Sequence, residues 1–334
     1  MRKIYSPSIS AIIATYNSER TLDACLENIR KQNYPQKKIE IIIVDGGSND
    51  KTLEIARKYK CKIIIRSGSK AEEAKAYGLQ KAKGELIADF GSDNILPEKN
   101  WLKKITAPFT KDQRITASYP LYYAYVKTET PFNRYVAMFG VNDPIPYYLN
   151  KADKQSCFQK GYKLAGEAVD KGNYFKVKFS AKNLPTVGAN GFIIKREILK
   201  KAKVDPKYYF HIDVVYDVVK KGYNTFAVVK NSIIHKTGDT LFSLLRKRNR
   251  YFTLLYLTRV ENRRYHIVSS NNYLKLFLFI IFSLTLIQPS LVSLKGFLKK
   301  RDPAWFLHPL FCFTITLIYT KAVFIYLFRK WRKL

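Results

Sequence analysis

Ile39-Glu40-Ile41-Ile42-Ile43-Val44-Asp45-Gly46-Gly47-Ser48-Asn49-Asp50 is the stretch that decides the architecture. Its first half is a short Ile-rich run, and such near-continuous apolar runs read as strands covered on both faces. Its second half is a cluster of turn formers, and Leu53, Ala56 and Tyr59 follow at helical spacing. The spacing therefore predicts strand, loop and helix, with Ser48 or Asn49 as the helix cap.

The same unit recurs on either side. Upstream, Ile9 to Ala14 is small or β-branched and breaks at Thr15-Tyr16-Asn17, after which Leu22, Leu26 and Ile29 mark a helix. Downstream, a strand at Lys62 to Arg66 precedes a helix over Ala71 to Ala82, and a strand at Glu85 to Phe90 runs into Gly91-Ser92-Asp93-Asn94. Strands alternating with amphipathic helices predict an α/β fold, a doubly wound and mostly parallel sheet. In such sheets ligands bind beyond the carboxyl ends of the strands, where Thr15, Tyr16, Asn17, Asp45 and Asp93 fall. Asn, Asp and Gly also make ordinary turns, so a single loop of this kind carries little weight. Residues 110–185 are rich in Tyr, Phe and Pro without a sustained period, and read as an insertion shaping an acceptor region. Order returns at Gly188-Ala189-Asn190-Gly191, then Phe192 to Ile194, a helix near Arg196 to Ala202, His211-Ile212-Asp213 opening a helix that stops at Gly222, and a strand at Thr225 to Val229.

The 334 residues carry 59 Lys+Arg against 26 Asp+Glu, a formal charge of +33, which predicts attraction to a polyanion, either anionic lipid or nucleic acid. Arg246 to Arg264 holds seven Arg or Lys and one Glu interleaved with aromatic and aliphatic residues, a mixture suited to a membrane surface. Tyr273 to Leu294 and Trp305 to Phe328 each approach the length of a bilayer-spanning helix, although Gln288, Pro289, His308, Pro309 and Lys321 interrupt them. Two spans, or a hairpin lying partly in the interface, are both expected readings. No signal-peptide pattern opens the chain, and the four cysteines lack metal-site or disulfide spacing, so the first part is expected to face the cytosol at the cell membrane. The organisation is then residues 1–240 as the main domain, 241–270 as a basic amphipathic segment and 271–334 as C-terminal hydrophobic helices forming a membrane anchor.

Ile12-Ile13-Ala14-Thr15-Tyr16-Asn17, Ile43-Val44-Asp45-Gly46-Gly47-Ser48-Asn49-Asp50, Gly84-Glu85 and Ser92-Asp93-Asn94, in this order and spacing, resemble the family 2 glycosyltransferases. The resemblance covers residues 8–110 closely and 185–240 more loosely. It implies a GT-A fold, a nucleotide-sugar donor, inversion at the anomeric carbon and a divalent metal, Mg²⁺ or Mn²⁺. By the same resemblance Thr15, Tyr16, Asn17, Asp45, Lys75 and Ser92 serve the donor nucleotide, and Gly188, Ala189, Asn190 and Gly191 line the donor-sugar and acceptor cleft. Asp93 and His235 are then the metal ligands, and Asp213 or His211 is the general base. Asp45 offers a carboxylate to base or ribose, Lys75 a cation to diphosphate, and Asp93 the hard oxygen such a metal prefers. The chain departs from the family where Asp-x-Asp reads Gly91-Ser92-Asp93, which puts the metal in doubt. Asp89 alternates onto the same face but sits deeper in its strand.

The expected partners are a nucleotide-sugar donor, a lipid-linked or polysaccharide acceptor and anionic membrane lipid. Nucleic acid is not expected: the charge admits it, but no nucleic-acid module signature accompanies the two apolar segments. A catalytically idle scaffold of the same fold is the remaining alternative, motivated by Gly91.

Overall fold

The computed structural model describes residues 5–237, 240–253 and 257–332. The first half repeats the predicted unit: β1 (Ile9–Thr15), α1 (Glu19–Arg30), β2 (Ile39–Asp45), α2 (Thr52–Lys58), β3 (Lys62–Ile65), α3 (Ala71–Lys81) and β4 (Leu86–Gly91). Then come the short β5 (Asn94–Ile95), α4 (Trp101–Lys111), β6 (Ala117–Tyr123), α5 (Pro131–Phe139), α6 (Pro144–Tyr148), β7 (Glu167–Asp170) and β8 (Tyr174–Lys178). The chain continues through β9 (Phe192–Lys195), α7 (Arg196–Leu199), α8 (His211–Lys220), β10 (Thr225–His235) and α9 (Leu241–Tyr251). It ends in α10 (Tyr273–Thr285), α11 (Ile287–Lys299) and α12 (Leu307–Trp331).

One sheet runs in the order β3-β2-β1-β4-β9-β6-β10-β8-β7, with β5 paired to β10. β1 pairs in parallel with β2 and β4, β2 with β3, and β6 with β10, whereas β9 and β8 run against their neighbours. Alternation along the strands fills both faces. Ile9, Ala11, Ile13, Ile41 and Ile43 enter one core cluster, and Ile12, Ile42 and Val44 enter the other. That is why the Ile-rich runs show no apolar/polar alternation.

Three expectations change. Residues 110–185 are not an insertion, because β6 lies inside the sheet between β9 and β10 and its Tyr119 and Leu121 are fully buried. The helix after β2 starts later than expected and is not capped by Ser48 or Asn49; Asp50 Oδ1 accepts from the Thr52 N–H at 3.0 Å instead. The apolar stretch beginning at Tyr273 is not one straight helix: α10 and α11 meet at an 81° bend, with Leu286 between them in the left-handed region at φ 60°.

The C-terminal helices are part of the main core. Trp305, Phe311 and Ile315 belong to the same buried cluster as Phe132, Tyr135 and Phe139 of α5. At the junction the Tyr135 hydroxyl donates to His308 Nδ1 (2.9 Å), His308 Nε2 donates to the Tyr148 oxygen (3.0 Å), and Tyr148 donates to Gln288 Oε1 (2.7 Å). This order fixes the neutral tautomer and leaves no ring nitrogen unpaired. Arg134 forks onto Asp302 beside it, at 2.8 and 3.2 Å. Of the basic segment expected before these helices, Leu254, Leu255 and Tyr256 lie outside the described residues.

Candidate functional site

Loops at the carboxyl ends of β1, β2 and β4 meet at one edge of the sheet. Asp45, the last residue of β2, is completely buried, and its carboxylate accepts from Thr15 Oγ1 (2.8 Å), Ser48 Oγ (2.6 Å), and the N–H groups of Gly47 (2.9 Å) and Ser48 (2.7 Å). The expectation that it receives hydrogen bonds from a base or ribose is thereby corrected, since its own loop uses those lone pairs. Asn17, at φ 47°, accepts from the Asn49 N–H at 3.0 Å and knits the first loop to the second. Tyr16 between them is left 64% exposed at the lip of the cleft. Ser92 meets Ser18 hydroxyl to hydroxyl at 3.3 Å. Beside Gly46 and Gly47 an open cavity of about 440 Å³ is lined by Arg66, Ser67, Ser69, Glu73 and Tyr77, with the Arg66 guanidinium 4.3 Å above the Tyr77 ring.

Lys75 faces inward. Its ammonium lies 2.8 Å from Asp89 Oδ1, and the lysine is nearly buried. Burial works against its charge, but Asp89 and Glu72 outweigh that and hold the amine well above the usual lysine range. With its charge already compensated from within, Lys75 is not the free cation expected for a diphosphate.

Glu72 was not anticipated by sequence reasoning, and nothing distinguishes it there from Glu73 beside it. Its carboxylate accepts from the His211 backbone N–H and pairs with His211 Nδ1, both at 2.9 Å. Burial alone would raise this carboxyl; His211 and Lys75 prevail and lower it to about 2. His211 Nδ1 is thereby engaged as donor, which leaves Nε2 with its lone pair. The imidazole lies under Gly188: a Cβ there would approach His211 Cδ2 to 3.0 Å, and φ is +127°.

Asp213, the other expected base, is placed elsewhere. It is fully buried, with Arg263 Nε 2.9 Å from Oδ2, Arg263 Nη2 3.2 Å from Oδ1, and the Tyr265 N–H donating to Oδ1 at 2.9 Å. Arg263 also stacks 3.9 Å over Phe210, and Arg264 binds Asp217 at 2.9 Å. The segment after α9 thus clamps α8, and Asp213 has no free oxygen turned to the cleft.

Asp93 and His235 do come together: Oδ2 and Nε2 are 3.3 Å apart, because β10 continues past the expected strand end and pairs His235 with Asn94. Tyr123 stacks on the imidazole at 5.6 Å, and His235 Nδ1 is buried with no hydrogen-bond partner among the described residues. Burial would raise the Asp93 carboxyl, but His235 and then Lys247 of α9 pull it below the ordinary range. Asn190 Oδ1 accepts from Asn94 Nδ2 at 3.2 Å, so the Gly188-Ala189-Asn190-Gly191 turn bridges the His211 side of the cleft to the Asp93 side. At Gly91 an added Cβ would run into Asp93 Oδ1, so a side chain there requires the Asp93 carboxylate to move.

The sequence profile described as Glycosyl transferase family 2 matches residues 10–201, more than half of the chain. The chain belongs to glycosyl transferase family 2. A Methanococcus voltae dolichyl N-acetyl-alpha-D-glucosaminyl phosphate 3-beta-D-2,3-diacetamido-2,3-dideoxy-beta-D-glucuronosyltransferase is 37% identical over 102 residues, which are 28% of this chain and 32% of that protein. The Staphylococcus aureus poly(ribitol-phosphate) beta-N-acetylglucosaminyltransferase TarS is 32% identical over 104 residues, 29% of this chain and 18% of its own length. The match therefore spans about a third or less of the length of these relatives. Among solved structures, the mannosyltransferase PcManGT from Pyrobaculum calidifontis, in complex with GDP-Man and Mn²⁺, superposes with TM-score 0.52 at 13% identity, covering 95% of this chain and 88% of that one. At that identity the likeness shows the fold, which is of the GT-A type.

Proposed function

We propose that the protein transfers a sugar from a nucleotide-sugar donor to a lipid-linked or polysaccharide acceptor, with inversion, at the cytosolic membrane face. The observation that carries this reading is the cleft in which one glycine-rich turn joins a carboxylate-oriented histidine to the Asp93–His235 corner. The nucleoside occupies the cavity beside Gly46, within the size range of small-ligand sites, with Tyr16 as its aromatic lip. The diphosphate then lies toward Asp93.

A divalent metal fits this corner as a partial shell. Two donor atoms 3.3 Å apart have the separation of neighbouring ligands around a small octahedral cation, and one or two protein ligands plus phosphate oxygens are the usual set for Mg²⁺. Among the described residues no third His, Cys, Asp or Glu joins them. When bound, such an ion neutralises charge on the departing diphosphate. Lys247, whose charge already acts on Asp93, adds a cation on the same side.

His211 is the base. Glu72 takes its Nδ1 proton in a hydrogen bond and orients the ring, and Nε2 removes the proton of the acceptor hydroxyl. The hydroxyl oxygen bonds to the anomeric carbon as the bond to the diphosphate breaks on the opposite face. One displacement without a protein nucleophile inverts the centre. A panel of sugar nucleotides, assayed for hydrolysis and for transfer to membrane lipid extract with Mn²⁺ or Mg²⁺, tests the reading. Turnover with one donor is expected, lowered ~10²- to 10⁴-fold in His211→Ala. If no donor is hydrolysed or raises the melting temperature, the enzyme reading fails.

A further inference from the structure

The three C-terminal helices expose far more apolar surface than the rest of the chain, and they do so along stripes. On α11 the outward residues are Ile287 (66% exposed), Leu291 (52%), Leu294 (48%) and Leu298 (73%), spaced four, three and four apart. That is one helical face. The opposite face, Pro289, Ser293 and Gly296, is buried, with Gly296 packed against Trp305. On α12 the outward stripe is Leu310, Leu317, Phe324, Phe328 and Trp331. Exposed contiguous apolar faces of this kind mark a binding surface.

The inward face of α12 shows what that surface meets. His308, Phe311, Ile315 and Ala322 are buried at a spacing of three to seven residues along the helix, so one side is covered over its first two-thirds. Polar groups of the main domain and of the segment after α9 touch this side at three heights: Tyr135 at His308, Asp143 Oδ2 at the Tyr319 hydroxyl (2.6 Å), and Glu261 at Lys330 (3.9 Å). Phe252, just past α9, stacks on Tyr319 at 4.1 Å. A helix of 25 residues is ~37 Å long, enough to cross a bilayer. If α12 crossed one, Asp143, which accepts from Tyr319 near the middle of the helix, would be carried into hydrocarbon with it, against the strong cost of charge there. Lying in the membrane plane, α12 keeps these groups on the aqueous side and presents only its apolar stripe to lipid. The 81° elbow between α10 and α11 likewise precludes a straight crossing by that pair.

Charge completes the match. From Lys275 to Arg332 the chain carries nine Lys or Arg and a single acid, Asp302, which is buried on Arg134. Lys275, Lys295, Lys299, Lys300, Lys321 and Arg329 are all exposed. Basic residues bordering an apolar stripe are the pattern of helices embedded at an anionic bilayer surface.

We infer that α10, α11 and α12 form a platform that docks in the plane of one leaflet of an anionic bilayer without crossing it. The platform continues into α9, which follows the β10 strand that carries His235 and at whose end Phe252 packs on α12. Delivery of a lipid-linked acceptor along this route rests on the glycosyltransferase reading; the docking does not.

The test uses the full chain added to preformed vesicles. Flotation with phosphatidylcholine vesicles containing about 30% phosphatidylglycerol is expected, with affinity at least about tenfold weaker on pure phosphatidylcholine or in high salt. Leu291→Glu combined with Leu317→Glu is expected to abolish flotation while leaving donor hydrolysis unchanged. An impermeant maleimide is expected to label both Lys300→Cys and Arg332→Cys from outside without detergent. Protection of either cysteine until the vesicles are opened would show a crossing and overturn the proposal. So would failure to float, or a vesicle-indifferent dimer covering the apolar stripes. Absence of sugar transfer would leave these readouts intact and would count against the glycosyltransferase reading alone.

Discussion

Two side chains two residues apart at the start of α8 have opposite fates, and their variants should separate accordingly. Asp213 holds a buried ion pair with Arg263, whose side chain is 8% exposed, so Arg263→Ala leaves a buried carboxylate uncompensated at a cost of ~3–5 kcal/mol. The expected result is a large fall in melting temperature, with activity lost in proportion to unfolded protein. His211 is partly exposed, and Lys75 remains near Glu72 when the imidazole is removed, so His211→Ala should lose less melting temperature than Arg263→Ala and lose turnover far out of proportion to it. Equal melting temperatures for the two variants would refute this division of roles. At the neighbouring corner, Gly91→Ala forces a methyl group into the position of the Asp93 carboxylate. Overpacking of this kind costs ~1–3 kcal/mol, equivalent to a roughly 5- to 150-fold loss of donor affinity in the presence of Mn²⁺ if it falls on binding. Calorimetric titration reads it directly, and tighter binding by Gly91→Asp would contradict the crowding argument.

At the scale of elements, the junction between α5 and α12 should be sensitive to acid. Burial pushes the His308 pKa down to about 3, against 6.5 for the free side chain. The unfolded chain therefore binds the extra proton between those values. Stability is full above about pH 6.5 and declines as pH falls toward 3, with a limiting slope of ~1.4 kcal/mol per pH unit. Melting curves between pH 7 and 5 should show a decline in wild type that is flatter in His308→Gln; parallel curves would refute the assignment. The elements also show what could be read in advance. The parallel half of the sheet was legible because each Ile-rich run ends at a turn cluster, and both faces of such strands are apolar. β6 was not, because Ala117-Ser118-Tyr119-Pro120 mixes small, polar and aromatic residues with a proline inside a central strand. The placement of candidate residues was legible where backbone loops define it, as where Asp93, His235 and the 188–191 turn meet. It was illegible where roles depend on long-range partners. Nothing near Asp213 announces Arg263, fifty residues on, and nothing near His211 announces Glu72, 139 residues back.

For the whole molecule, the decisive question is whether the C-terminal helices are an appendage or part of one folding unit. The contacts favour one unit. Phe311 is fully buried against Phe132 and Tyr135, with ring centroids at 5.5 and 5.7 Å, and Trp305 packs on Phe139 at 4.9 Å. Burying side chains of this size contributes ~1.5–3 kcal/mol each, so loss of these few removes an amount comparable to the whole stability of a domain. Truncation before Tyr273 also strands Tyr135, Tyr148 and Arg134, whose partners His308, Gln288 and Asp302 all lie beyond the cut. The full chain should therefore unfold in one transition, reported alike by tryptophan fluorescence and by loss of donor binding. A chain ending at residue 272 should show no cooperative transition and no donor binding, although every residue of the cleft loops is present in it. If that truncated chain melted cooperatively and bound donor, the helices would be a detachable anchor, and the cleft would owe nothing to the platform on which it stands.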